Sequence, residues 1–303
     1  MTPRRPPVPE HGASLAQAPR IGRTSGIRLL DRAISGAAVR AAGPGGIRFT
    51  ERQLYYETCR VLSPAATLLP RIPRTPAPPL RLPTFTRALE ARGRATVEGL
   101  LPPIPSAPPP PRAARDPHEP DLYAYGLPRL LVCQDRSIAR MLLANHVHLE
   151  AACPVLAAAE ALPLAPHLVA ALERAEGATV HVLHDASPEG IGLTPRIRAA
   201  LGSVTGVRVA SIGLVPRHAA ALRLPSGRGP APDPPLESWP SALRPQEAAW
   251  LARGRFAQVA AVPPPRLVRT VLRLVRGSRP PRNSLWTELR GLRTAGFLTW
   301  PAP

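Results

Sequence analysis

The chain of 303 residues carries 43 prolines, about threefold above the usual ~5%, and 44% of its residues are hydrophobic. All 39 of its cations are arginines, set against 20 acids, for a formal charge of +19. Proline at that density excludes a coiled coil, a long helical bundle or a continuous sheet protein, and predicts ordered blocks joined by stiff connectors. The charge points to an anionic partner, nucleic acid first. Codon bias toward Arg, Pro, Ala and Gly explains arginine replacing lysine better than it explains the two-to-one excess over acids.

The longest apolar stretch, 151–172, contains Glu160, His167 and three prolines, so it is no membrane span. The N-terminal MTPRRPPVPEHG has no apolar core for a signal peptide. Cys59, Cys133 and Cys153 form no CxxC pair and are odd in number, which reads as reduced, buried thiols in a cytoplasmic protein.

In chain order, residues 1–20 read as a disordered, Arg- and Pro-rich arm. Ile27, Leu30, Ile34, Ala37 and Ala38 fall near helical spacing over 26–42, and the GPGG at 43–46 stops that helix. Thr50 reads as the N-cap of a second helix, TERQLYYETCRVL, with Leu54, Tyr55, Cys59 and Leu62 as its buried stripe. Residues 63–83 carry seven prolines and read as a loop or a wing. Thr84 to Leu101 reads as helix, with Phe85, Leu89 and Val97 inward. The polyproline-like PPIPSAPPPPR at 102–112 is the best boundary, and the connector it opens extends over 102–120.

Strand–helix alternation follows. Strands are predicted at 129–133, 153–157, 179–183 and 207–212. The helices between them are capped by Asp135 or Ser137, opened by Pro166, and opened by Thr194-Pro195. That alternation implies a mostly parallel sheet flanked by helices, an α/β fold over 121–225. Residues 226–303 read as a Pro-rich loop and a basic helical extension. Within it, Pro264 to Arg276 is a helix with Leu267, Val268, Val271, Leu274 and Val275 on one face and Arg266, Arg269, Arg273 and Arg276 on another.

Two strand ends carry polar clusters, and strand ends are where parallel sheets place their sites. Gln134-Asp135 follows the first, and His184-Asp185-Ala186-Ser187-Pro188-Glu189-Gly190 follows the third. Carboxylates on adjacent strand ends can hold Mg²⁺ against a phosphate. The same residues are also ordinary turn formers. Tyr55-Tyr56 beside Arg52 is the other candidate, since a tyrosine can attack a phosphodiester when cations stabilise the charged oxygens. Two aromatics on an amphipathic helix also explain it.

The segment Thr50-Glu51-Arg52-Gln53-Leu54-Tyr55-Tyr56 resembles the catalytic-tyrosine segment of the topoisomerase VI A subunit and its relative, the meiotic double-strand-break transesterase. RLLVCQDRSIARML resembles the first Toprim strand and helix of that family, and VHVLHDASPEG its DxD-type metal strand. VASIGLVPRHAAALRLP and QVAAVPPPRLVRTVL are similar to later segments, so the resemblance is collinear over roughly Gly26–Arg276. It implies a winged-helix domain over 21–101 before a Toprim domain, with Tyr56 as nucleophile and Arg52 near the attacked phosphate. It also implies a homodimer that cuts both strands, a separate ATPase subunit for any strand passage, and a nucleoid-associated location.

The chain departs from that pattern at the metal site. Gln134 stands where a glutamate is expected and Ser187 where the second aspartate is expected. Gln258 and Ala260 replace later acids. Asp185 matches, while Asp135 and Glu189 lie nearby but off-pattern. The expectation is therefore weak or absent Mg²⁺ binding. The function expected is DNA binding with tyrosine-dependent cleavage; the alternative is an inactive Toprim-fold DNA-binding or scaffold protein.

From Arg253 to Arg293 there are ten arginines and one acid, Glu288, a net of +9. Arginines at 266, 269, 273 and 276 suit a row of phosphates. A solvated helix face explains them too, but no acids interleave to neutralise the row.

Overall fold

The computed structural model describes residues 21–63, 75–104, 126–202, 204–231 and 243–277, with side chains described from Arg28 onward. The expected N-terminal arm and most of the 102–120 connector lie outside them. So do residues 278–303, which hold the last four arginines of the basic extension.

The first helix, α1 (Ile21–Ala42), buries Ala33, Ile34, Ala37 and Ala41 at helical spacing. These small side chains let α2 (Glu51–Leu62) pack closely against it. The GPGG turn between them needs left-handed backbone at Gly43 (φ 56°) and Gly46 (φ 59°), which glycine adopts without a Cβ clash. Thr50 then caps α2 in both directions. Its hydroxyl accepts from the Gln53 N–H, and Gln53 Oε1 accepts from the Thr50 N–H at 2.9 Å. Of the expected inner stripe, Leu54, Tyr55 and Cys59 are buried but Leu62 is 41% exposed. It sits in the last turn of the helix.

The helix expected over 84–101 is shorter. α3 (Leu82–Arg92) ends at Gly93, where φ of 88° breaks the helical backbone. A single 3₁₀ turn at Arg94–Thr96 follows. The chain then extends, and Phe49 bonds both Gly99 O and Leu101 N at 2.9 Å, forming a parallel bridge with Leu100.

Four strands form one parallel sheet in the order β2-β1-β3-β4: β1 (Arg129–Cys133), β2 (Val155–Ala157), β3 (Thr179–Leu183) and β4 (Arg208–Ser211). β1 and β3 run in register from Arg129↔Thr179 to Cys133↔Leu183. Both are buried on two faces, which is why they read as continuous apolar runs. Leu130, Val132, Val180 and Val182 face α7 (Pro166–Arg174) and α8 (Pro188–Leu201). Leu131, Cys133 and Leu183 face the other way, onto α4 (Arg136–Ala144), α5 (Val147–Ala151) and the N-terminal helices. A short α6 (Ala158–Ala161) follows β2.

α8 begins earlier than its Thr194-Pro195 pair suggests. Ser187 is the true N-cap: its hydroxyl accepts from the Gly190 N–H at 3.0 Å, and Pro188 takes the first turn. Pro195 lies inside the helix. Beyond β4 come α9 (Pro216–Ala221), β5 (Gly227–Arg228), α10 (Pro245–Ala252), and β6 (Arg255–Phe256), which pairs antiparallel with β5.

The last helix, α11 (Pro264–Arg276), buries Leu267, Val268, Val271 and Val275, while Leu274 is 40% exposed rather than inward. One apolar cluster runs from Ile34 and Tyr56 through Leu131 and Leu183 to Val271, so the N-terminal helices, the sheet and α11 share a core. Cys59, Cys133 and Cys153 are all buried free thiols.

Candidate functional site

The site sits where four chain segments meet at the carboxyl ends of β1 and β3. Because Cys133 pairs with Leu183, the residues that follow are neighbours. The Gln134 N–H donates to Leu183 O, and Gln134 Oε1 accepts from the Asp185 N–H, each at 2.8 Å. Gly190 closes over this crossing. A Cβ there would collide with the Asp185 carbonyl and stand 2.6 Å from Gln134 Oε1.

The third segment is the strand-like stretch after β6. Ala186 and Ala257 exchange two backbone hydrogen bonds, at 2.9 and 3.0 Å. That pairing sets the Val259 N–H against Asp185 Oδ1 at 2.6 Å. It also sets the Gln258 side chain toward α2, the fourth segment. There Gln258 Oε1 accepts from the Tyr56 hydroxyl at 2.9 Å and from Arg52 Nη1 at 3.1 Å. The expected nucleophile, its arginine and the expected metal aspartate thus gather in one chain, although Tyr56 and Gln258 are 202 positions apart.

Arg60 fastens the arrangement. Its guanidinium forks onto the buried Glu57 and donates Nη1 to Ala261 O at 2.7 Å. One residue thereby ties α2 to the segment that carries Gln258. Tyr55 is a core residue whose hydroxyl donates to Leu80 O at 2.6 Å, with its ring against Phe85.

The electrostatics disfavour charge. Burial pushes the Tyr56 hydroxyl up to about 12; Arg52 opposes the shift and Asp185 adds to it. Burial also pushes Asp185 up to about 6, against the Val259 hydrogen bond, with Asp135 and Glu189 adding to the rise. Tyr56 is therefore a neutral donor at neutral pH, and its proton faces an amide oxygen that is no base.

Of the expected metal residues, Gln134 and Asp185 touch each other. Asp135 and Glu189 come close enough to be felt by Asp185 but take other positions. Asp135 caps α4, accepting from the Ser137 N–H at 2.7 Å, and Glu189 is exposed in the first turn of α8. Ser187 is spent as the cap of that same helix. Among the described residues no three His, Cys, Asp or Glu side chains are grouped to hold a metal ion. Asp185 alone of these carboxylates bonds within the crossing, and that set poorly fits a Mg²⁺ site, which draws on one or two carboxylates with phosphate and water. One oxygen of Asp185 is engaged by backbone and the two neighbouring amides carry no charge.

The four arginines of α11 divide. Arg266, Arg269 and Arg273 are exposed, while Arg276 is half-buried and bound to Glu150, through its backbone carbonyl and at 3.3 Å through its carboxylate. Arg60 and Glu57 were not singled out from sequence, though their i, i+3 spacing on a helix was the available signal. Val259 had none, since it contributes only its backbone.

Comparison of the chain with protein-family models, curated proteins and solved structures finds no match to any of them. Among the described residues no helix is long and apolar enough to cross a membrane.

Proposed function

We propose that the chain is a DNA-binding protein built on the plan of the topoisomerase VI A family, a winged-helix-like block packed on a Toprim-like sheet, with Tyr56 held silent. The observation that carries this reading is the Tyr56–Gln258–Arg52 cluster beside Asp185. A phosphodiester entering along Arg52 would meet a tyrosine that keeps its proton. A nucleophilic tyrosine needs a base or a metal to lose that proton, and here its partner is an amide.

The convergence of Tyr56, Arg52 and Asp185 also favours a second reading, slow cleavage. In that case attack of the Tyr56 oxygen forms a 5′-phosphotyrosyl bond, and the leaving 3′-oxygen takes up a proton. The reading is tested by incubating the protein with labelled duplex DNA and Mg²⁺ and resolving the products on a denaturing gel. The silent reading expects binding without a covalent adduct, in wild type and in Tyr56→Phe alike. A wild-type adduct that Tyr56→Phe abolishes would establish cleavage instead. Free 5′-phosphate ends persisting in Tyr56→Phe would indicate a hydrolytic nuclease.

A further inference from the structure

A cavity of about 330 Å³ lies between the first turn of α2, the first turns of α4 and the extended segment 101–104. That volume is at the lower end of the ~300–1,000 Å³ typical of small-molecule sites. One wall is cationic. Arg52 lines it from α2, and Ser137 and Arg140 line it from α4. Arg94 also lines it but is neutralised by Glu51, whose other oxygen accepts from Thr86. Neither Arg52 nor Arg140 has an ion pair with a described carboxylate. Among the described residues Arg140 donates to Pro102 O at 3.3 Å, and Arg52 donates to the neutral Gln258 and is felt by Tyr56 and Asp185. Leu101, Pro102 and Pro103 supply apolar lining beside these cations.

We infer that this cavity binds the phosphomonoester of a nucleotide, phosphate on Arg52, Arg140 and Ser137, base against the Leu101–Pro103 wall. Two guanidinium groups without an ion pair among the described residues match a dianion, and a phosphomonoester is mostly dianionic above its second pKa of about 6. Arginine suits it further because its planar fork takes two phosphate oxygens at once. Apolar lining beside the cations suits a flat ring and favours a nucleotide over a bare inorganic ion. Arg52 belongs to both this wall and the Tyr56 cluster, so the ligand would sit beside Tyr56. The inference rests on the cavity and not on the DNA reading, which is tested separately by duplex cleavage and by the salt dependence of duplex binding.

Calorimetry on the full chain at pH 7.5 tests it with dAMP, deoxyadenosine, inorganic phosphate and a 5′-phosphorylated oligonucleotide beside its 5′-hydroxyl twin. The expected result is saturable dAMP binding, at least tenfold weaker for deoxyadenosine and for phosphate alone. Arg140→Gln should weaken it at least tenfold, and Arg140→Lys should restore part of the loss. Circular dichroism shows whether each variant is folded. Should only the 5′-phosphorylated strand bind, again dependent on Arg140, the phosphomonoester comes from a strand end and the assignment stands. Absence of binding by every phosphate ligand overturns it. So does dAMP affinity unchanged in folded Arg140→Gln, or equal affinity for dAMP and inorganic phosphate.

Discussion

Asp185 is held by two opposed forces. Its surroundings penalise charge, yet Val259 donates to its carboxylate and Gln134 anchors its backbone. The folded-state pKa, about 6, lies above the ordinary 3.8. The sign follows directly. Folding is favoured most when the carboxyl is protonated, below about pH 4, and that advantage is lost as pH rises to about 6. Two pKa units correspond to roughly 2–3 kcal/mol, reduced by the partial exposure of the residue. Asp185→Asn keeps an oxygen for the Val259 N–H and removes the charge. It should raise the melting temperature at pH 7.5 and leave it nearly unchanged at pH 4. Equal shifts at both pH values would refute the charge argument. Gly190 gives a second prediction at this scale. Because a Cβ would strike the Asp185 carbonyl, Gly190→Ala should cost about 1–3 kcal/mol in urea unfolding, as overpacking does. Gly192, in the same helix but with open space around it, is the control.

At the scale of the element, α2 is positioned by its ends and by one buried ion pair. Thr50 and Gln53 fix where the helix starts, and Arg60–Glu57 fixes its face against residues 258–261. Glu57 is 3% exposed, and its other cation, Arg40, stands 3.9 Å away in solvent. Removing Arg60 leaves a nearly unpaired buried carboxylate, which typically costs 3–5 kcal/mol. Arg60→Met should therefore destabilise strongly, and Glu57→Gln added to it should recover much of the loss. A double variant no better than the single would show that the Ala261 tie, not the ion pair, is what matters. The elements themselves were largely legible. β1 and β3 announce themselves as short apolar runs, α2 by its cap, and α11 by the separation of Val and Leu from Arg. Pro195 misled because Thr-Pro carries the same signature as the real cap, Ser187-Pro188, seven residues earlier. Gly93 was not read as a stop because the apolar spacing of Phe85, Leu89 and Val97 runs on past it. The role of Gln258 was out of reach, since it is created by partners about 200 positions away and by backbone pairing at Ala186 and Ala257. Strand-end chemistry was visible locally at Gln134 and Asp185, and Asp135 was legible as a cap, but only the fold shows that Ser187 is used up as one.

Over the whole molecule, the excess of arginine is set against few acids, and several of those acids are already committed. Glu57, Glu247 and Glu51 each hold a cation, and Glu150 holds Arg276. The formal charge of +19 leaves arginine far in excess of acid, which suits a polyanion. On α11 the exposed members are Arg266, Arg269 and Arg273, one helical turn apart on the face opposite the buried Val271 and Val275. Each phosphate they neutralise adds roughly 0.9 to the slope of log affinity against log salt on B-DNA. Changing the three to glutamine should lower that slope by up to about 2.7 and weaken binding similarly across unrelated sequences. Arg276→Gln should lower it less, because that guanidinium is bound to Glu150 in the free protein, and its loss should instead loosen α11 from α5. Fluorescence anisotropy with two duplexes of different sequence, between 50 and 300 mM salt, separates these outcomes. An unchanged slope in the triple variant would make the row a solvated face and move the DNA contact to another surface. A loss confined to one duplex would show base readout, which arginines spaced along a backbone-tracking helix do not provide.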